Sequence, residues 1–241
     1  MIVEGKNAVC ELIKTQKTID KVLVQNGLRD GESRKLVSEI KDAGVKVSYA
    51  DKSVLDKQSK SGRHQGFMAF VSDYVYADLY DMLEKVRGKE ECFFLVLDGI
   101  EDPHNLGSII RVAECAGVDG IVIGKHRSAC VTDAVMRISE GGANHVAIAR
   151  ETNMNDVIDK MKKENIWVYG LELGGSDLYK TDLRGRIAIV IGGEDTGINR
   201  LTKEKCDGVM AIKMRGKINS LNASVACGVA VFEALRQRSE D

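Results

Sequence analysis

Apolar and polar positions alternate along the first 72 residues in a pattern that predicts a small α/β unit. Ala8, Val9, Leu12 and Ile13 share one face of a helix over 5–16, and a strand follows over 21–25. A second helix over 33–43 stops at Gly44, a common C-terminal stop, and the chain returns as a strand over 45–50. A short helix over 53–58 and a strand over 66–72 complete the unit. Between 73 and 91 the composition turns acidic and the pattern is helical, which predicts a linker carrying a helix over 76–86. Residues 92–97 then form a continuous apolar run of the kind found in buried parallel strands.

From residue 92 onward strands and helices alternate. Strands are expected over 92–97, 120–123, 146–149, 167–172, 187–192 and 208–213, with helices over 106–116, 132–140, 154–165, 199–205 and 220–237. The last helix carries Leu221, Val225, Val229 and Phe232 at helical spacing as its buried face, with small residues around Ala226 to Gly228. This alternation predicts a parallel sheet with helices on both faces, whose ligands sit beyond the carboxyl ends of the strands. The domains expected are therefore 1–72, a linker over 73–91, and 92–241.

Composition narrows the class. With 44% apolar and 29% charged residues, 24 Gly and one Pro in 241 residues, the chain is neither disordered nor collagen-like. The longest apolar runs, 93–97 and 187–191, fall far below the roughly 20 residues that span a bilayer. The first residues lack the basic start and apolar run of a secretion signal, so no membrane segment and a cytoplasmic location are expected. The six cysteines form no Cys-x-x-Cys pair and the four histidines no close pair, which argues against a metal site. The net charge of −1 hides an asymmetry: residues 1–72 hold 13 Lys and Arg against 9 Asp and Glu, and the rest holds 22 against 27. The N-terminal part could face a polyanion, or simply be solvated.

Three loops concentrate candidate chemistry. The first runs from Asp98 through Pro103, His104 and Asn105 to Arg111. Asn105 is suited to cap the following helix, and Arg111 lies about 120° around that helix from it. The second, Ile191 to Gly197, carries glycines at 192, 193 and 197 around Glu194, without a phosphate-loop Gly-Lys-Ser/Thr or a Gly-x-Gly-x-x-Gly fingerprint. The third, Ile212 to Ser224, sets Asn219, Ser220, Asn222 and Ser224 at the start of the last helix. Capping explains one of these residues, not all four.

Taken in order, these loops resemble the three motifs of the SpoU (TrmH) family of RNA ribose 2′-O-methyltransferases in the SPOUT superfamily. Asn105-x-Gly107-x-x-x-Arg111 matches the first motif and Gly192-x-Glu194-x-x-Gly197 the second. Ile212-x-Met214-x-Gly216 with Ser220-Leu221-Asn222-x-Ser224 matches the third. Arg127-Ser128-Ala129, Gly141-Gly142-Ala143 and Thr152-Asn153 are similar to segments of the bacterial 23S rRNA guanosine branch (RlmB-like). Gly5-x-x-Ala8-Val9 and His64-Gln65-Gly66 are similar to that branch's substrate-binding domain. Departures are Lys213, where the family usually has Pro, and Glu140.

The resemblance implies a C-terminal parallel-sheet domain with a deep trefoil knot, a small ribosomal-protein-L30e-like α/β domain before it, and a homodimer. It implies S-adenosylmethionine as cofactor, on backbone around Leu171, Gly192, Gly193, Ile212, Met214 and Leu221. The catalytic group it implies is Asn105, Arg111, Glu194, Ser220 and Asn222, with no metal. The expected substrate is RNA, first a guanosine of 23S rRNA. Alternatives are tRNA or another rRNA nucleotide, or a non-catalytic RNA-binding protein on the same fold. A nicotinamide oxidoreductase is disfavoured by the missing glycine fingerprint.

Overall fold

A computed structural model describes residues 1–15, 18–72, 74–194 and 196–239. The expected end of the first helix at Gln16, Asp73 of the expected linker and Asp195 of the second loop lie outside these. The chain divides into two compact units, Met1–Val75 and Tyr76–Asp241.

In the first unit β1 (Ile2–Glu4), β2 (Thr18–Gln25), β3 (Val47–Ala50) and β4 (Phe67–Ser72) form one sheet in the order β1-β4-β2-β3. Only β2 and β3 run parallel. The period of two in β2 explains its two faces. Val22 and Val24 pack with Val9 and Leu12 of α1 (Lys6–Ile13) and Leu36 and Ile40 of α2 (Gly31–Asp42). Leu23 turns to the other face, to Leu55 of α3 (Lys52–Gln58). Strand β1 was not expected, because three residues carry no readable period.

That strand ends in a carboxylate with a specific task. Glu4 accepts hydrogen bonds from Ser59 Oγ at 2.6 Å and Lys60 N at 2.6 Å, and also from Ser61 Oγ and N. These bonds hold its pKa down at about 2. A depressed carboxyl stabilises the loop above its ordinary titration range, and the contribution is lost as pH falls from about 4.5 toward 2. Glu4→Ala is therefore expected to raise amide exchange at Lys60 and Ser61 at pH 6. Unchanged exchange would remove this role.

In the second unit β5 (Cys92–Asp98), β6 (Gly120–Gly124), β7 (Ile148–Glu151), β8 (Trp167–Asp177), β9 (Arg186–Gly192) and β10 (Gly208–Ala211) form an all-parallel sheet in the order β10-β8-β9-β5-β6-β7. One face of the central strands, with Phe94, Val96, Ala188 and Val190, packs on α4 (Leu79–Lys85) and α7 (Met154–Lys163). The helix expected in a linker is thus part of this core: Leu79, Met82, Leu83 and Val86 are buried, and Ala77 N bonds to Ile148 O at 2.8 Å. Burying four such side chains removes far more apolar surface from water than a free connecting helix could tolerate exposing.

The remaining helices are α5 (Pro103–Cys115), α6 (Asp133–Ile138), α8 (Arg200–Lys205) and α9 (Ala223–Arg238). Helix α9 packs on α5 and β9 through a different face from the one expected. Ala223, Cys227, Ala230, Val231 and Ala234 are buried, whereas Val225 is 51% and Phe232 48% exposed. The helix is apolar nearly all round, so spacing could not choose its face. Close approach to a neighbouring helix selects the small residues. Burial pushes the Cys227 thiol up to about 12, and none of the six cysteines is in a disulfide.

Candidate active site

The three loops meet at the amide of Asn222. Its Oδ1 caps α9, accepting from Ser224 N at 2.9 Å and Val225 N at 3.4 Å. Its Nδ2 donates to Asn105 Oδ1 at 2.9 Å and also to Glu194 Oε1. One side chain thereby joins three segments far apart in sequence and uses both its oxygen and both its amide hydrogens.

Asn105 does not cap α5 as expected. Pro103 occupies the first helical turn, where its missing N–H is not needed, and Asp102 is the N-cap, accepting from His104 N at 2.9 Å. Asn105 thus falls inside the helix and is buried, 5% exposed, its side chain free to meet Asn222. Gly107 of the same motif has a packing role. A Cβ there would stand 2.6 Å from Ile138 Cγ2 of α6.

Glu194 is held on a loop pinned from several sides. Gly193 N bonds to Asp98 O at 3.0 Å, Gly197 N to Gly193 O at 2.9 Å and Asn199 N to Asp98 Oδ2 at 2.8 Å. Glu172 accepts from Ile198 N at 3.3 Å and pairs with Lys203 at 2.7 Å. Sequence reasoning missed Asp98 and Glu172; their signal was an acid at or near the carboxyl end of a strand. Gly192 and Gly193 fit this crowding, since a Cβ at either would meet backbone of Gly197 or Gly99.

Arg111 and Ser220 do not join this cluster. Arg111 is exposed on α5 and pairs at 3.5 Å with Glu140, one of the two departures from the family pattern. Ser220 is exposed on the segment before α9. Lys213, the departure in the third motif, pairs with Asp177 at 2.8 Å and holds that carboxyl below its usual range. From Lys213 to Leu221 the backbone takes part in no backbone hydrogen bond among the described residues, leaving peptide donors and acceptors open beside the Asn222 cluster.

Among the described residues no helix is long and apolar enough to cross a membrane, and no group of three or more His, Cys, Asp or Glu side chains is placed to hold a metal ion.

An all-parallel sheet with its polar cluster on the loops beyond the strands defines an α/β protein of the ligand-at-the-carboxyl-end class. Residues 92–232 match the SpoU rRNA methylase family, and residues 2–77 match the family described as RNA 2′-O ribose methyltransferase substrate binding. YacO of Bacillus subtilis, assigned by name to the TrmH family of tRNA/rRNA methyltransferases, is 40% identical over 98% of this chain and 95% of its own. A Staphylococcus aureus protein of the same naming is 39% identical over 99% of this chain and 97% of its own. Among solved structures, AviRb of Streptomyces viridochromogenes in complex with AdoMet superposes with a TM-score of 0.64 at 22% identity, covering 100% of this chain and 91% of its own. An AdoMet-bound rRNA methyltransferase of Sinorhizobium meliloti gives 0.63 at 23%, covering 98% and 86%. The chain belongs to the SpoU (TrmH) family of RNA methyltransferases.

Proposed function

We propose that this protein transfers a methyl group from S-adenosylmethionine to the ribose 2′-oxygen of a guanosine in 23S rRNA, acting as a homodimer with a trefoil-knotted catalytic domain. The observation that carries the reading is the hydrogen bonding of Asn222 to Asn105 and Glu194, which brings the three motif loops to one point. Open backbone over 213–221 and the glycines at 192 and 193 fit a cofactor held through peptide groups, with Leu171, Ile212, Met214 and Leu221 around it. Leu171 pairs in register with Ile191, immediately before those glycines. The exposed Val225 and Phe232 on α9 offer a surface for a second copy.

When bound, the cofactor supplies a sulfonium methyl that the 2′-oxygen attacks as the carbon–sulfur bond breaks. The protein's task is then alignment and help with one proton. Asn105 and Ser220 hold the ribose, and Glu194 fixes the loop through Asn222. A guanidinium stays protonated and cannot be a base. Arg111 instead orients the nucleotide's phosphate, which with a water can take the proton. Because Arg111 lies about 120° around α5 from Asn105 and pairs with Glu140, it serves the site of the second copy. Arg111→Lys is expected to lower turnover about 100-fold with cofactor affinity unchanged; near-normal turnover would remove the role.

The N-terminal unit, with its excess of cations and the loop that Glu4 organises, serves as the L30e-like RNA-holding domain. The test is incubation with labelled S-adenosylmethionine and either 23S rRNA or tRNA, followed by digestion and mass spectrometry. Label on the ribose of a 23S rRNA guanosine is expected. Label in tRNA alone would replace the substrate, and no transfer to any RNA would sink the reading.

A further inference from the structure

A cavity of about 660 Å³ opens beyond the carboxyl ends of β9, β5 and β6, three adjacent strands of the sheet. That volume is in the range of small-ligand sites. Its walls are tied together: Ala129 N donates to Ile100 O at 2.7 Å, joining the loops after β5 and β6, and Asn199 N donates to Asp98, joining those after β9 and β5.

None of the six residues expected around the cofactor lines this space. Two of its cations are committed, Lys203 to Glu172 at 2.7 Å and Arg200 to Glu204 at 2.6 Å. Glu101, His126 and Arg127 line it, are exposed, and make no hydrogen bond or ion pair among the described residues. Arg127 also sits at φ 47°, a left-handed conformation that a side chain other than glycine adopts only at a cost.

An uncommitted cation and an uncommitted carboxylate facing one cavity suit a ligand with an anionic group and a hydrogen-bond-donating edge. A carboxylate only accepts, so it selects a base presenting two adjacent donors. The Watson–Crick edge of guanine does so with its ring N–H and its amino group. Adenine and cytosine place an acceptor beside their amino group, and uracil flanks its N–H with two acceptors. We propose that this cavity holds a guanine nucleotide of the RNA substrate, its base on Glu101, its phosphate on Arg127 and its ring against His126. The proposal rests on the methyltransferase reading and deepens it, by placing base selection on residues separate from those expected around the cofactor.

The test is titration of the full-length protein, saturated with S-adenosylhomocysteine, with GMP, AMP, CMP, UMP and inorganic phosphate, followed by NMR. GMP is expected to bind at least about fivefold more tightly than the other nucleotides. Glu101→Gln should abolish that preference while AMP binding stays within twofold. Arg127→Ala should weaken all four about tenfold and raise the KM for RNA more than it lowers kcat. Unaltered S-adenosylhomocysteine affinity confirms that each variant is folded. Equal binding of the four nucleotides, unchanged GMP binding by Glu101→Gln, or GMP binding that is lost when the protein is saturated with S-adenosylhomocysteine would each overturn the proposal. Should the wild-type protein methylate no RNA, the functional reading fails, while the nucleotide titration still decides the cavity.

Discussion

Asn222→Ala is expected to destabilise the second unit by about 2 to 4 kcal/mol, from loss of a helix cap and of the partner to a buried acceptor. Turnover should fall by about 100-fold or more, as for removal of a group that fixes reacting atoms. The two effects have separate origins in one side chain. Oδ1 caps α9 through Ser224 N and Val225 N, and Nδ2 ties Asn105 to Glu194. Asn222→Asp separates them. A carboxylate caps at least as well as an amide, but it puts a second acceptor against Asn105 Oδ1 and a like charge against Glu194. The aspartate variant should therefore keep the cap's share of stability in a urea titration and lose turnover as the alanine variant does. Normal turnover in Asn222→Asp would reduce this residue to a cap.

The same side chain shows where sequence stops being informative. Cys92 to Leu97 and Ile187 to Ile191 are legible as buried parallel strands because both faces are covered, so every position is apolar. Pairing order is not legible: β9 lies between β8 and β5 because it also pairs with β5, a segment about 95 residues earlier. Helix α4 looked like a linker because its partner, β7, comes about 70 residues later. Asn105 looked like a cap because residue type alone does not say that Pro103 starts the helix two positions earlier. At the site, the resemblance picked Asn105, Glu194 and Asn222, which the fold brings together, and also Arg111 and Ser220, which it leaves apart within one chain. Glu101 carried no signal beyond lying after a strand, and Arg127 only its place in a segment similar to the 23S rRNA branch; what distinguishes both is a shared cavity and the lack of a partner among the described residues.

Gly192→Ala is expected to abolish cofactor binding at any practical concentration. A Cβ at this position would stand 2.6 Å from Gly197 O and closer still to Gly197 C and Ile198 N. These are backbone atoms, already fixed by the bonds from Gly193 N to Asp98 O and from Ile198 N to Glu172, so no side chain can swing aside. The loop itself must move. The cost should reach the upper end of the about 1 to 3 kcal/mol typical of overpacking, and the movement carries Glu194, two residues on, away from Asn222. Gly185→Ala is the control. It has a positive φ of 69°, which Gly192 does not share, and nothing within 4 Å of the added carbon, so only backbone strain of about 1 to 2 kcal/mol applies. Thermal melts should therefore show both variants destabilised, whereas calorimetry with S-adenosylhomocysteine should show binding lost in Gly192→Ala and intact in Gly185→Ala. Affinity within threefold of wild type in Gly192→Ala would mean that the loop does not cradle the cofactor, and that its glycines serve only to let the chain cross itself closely.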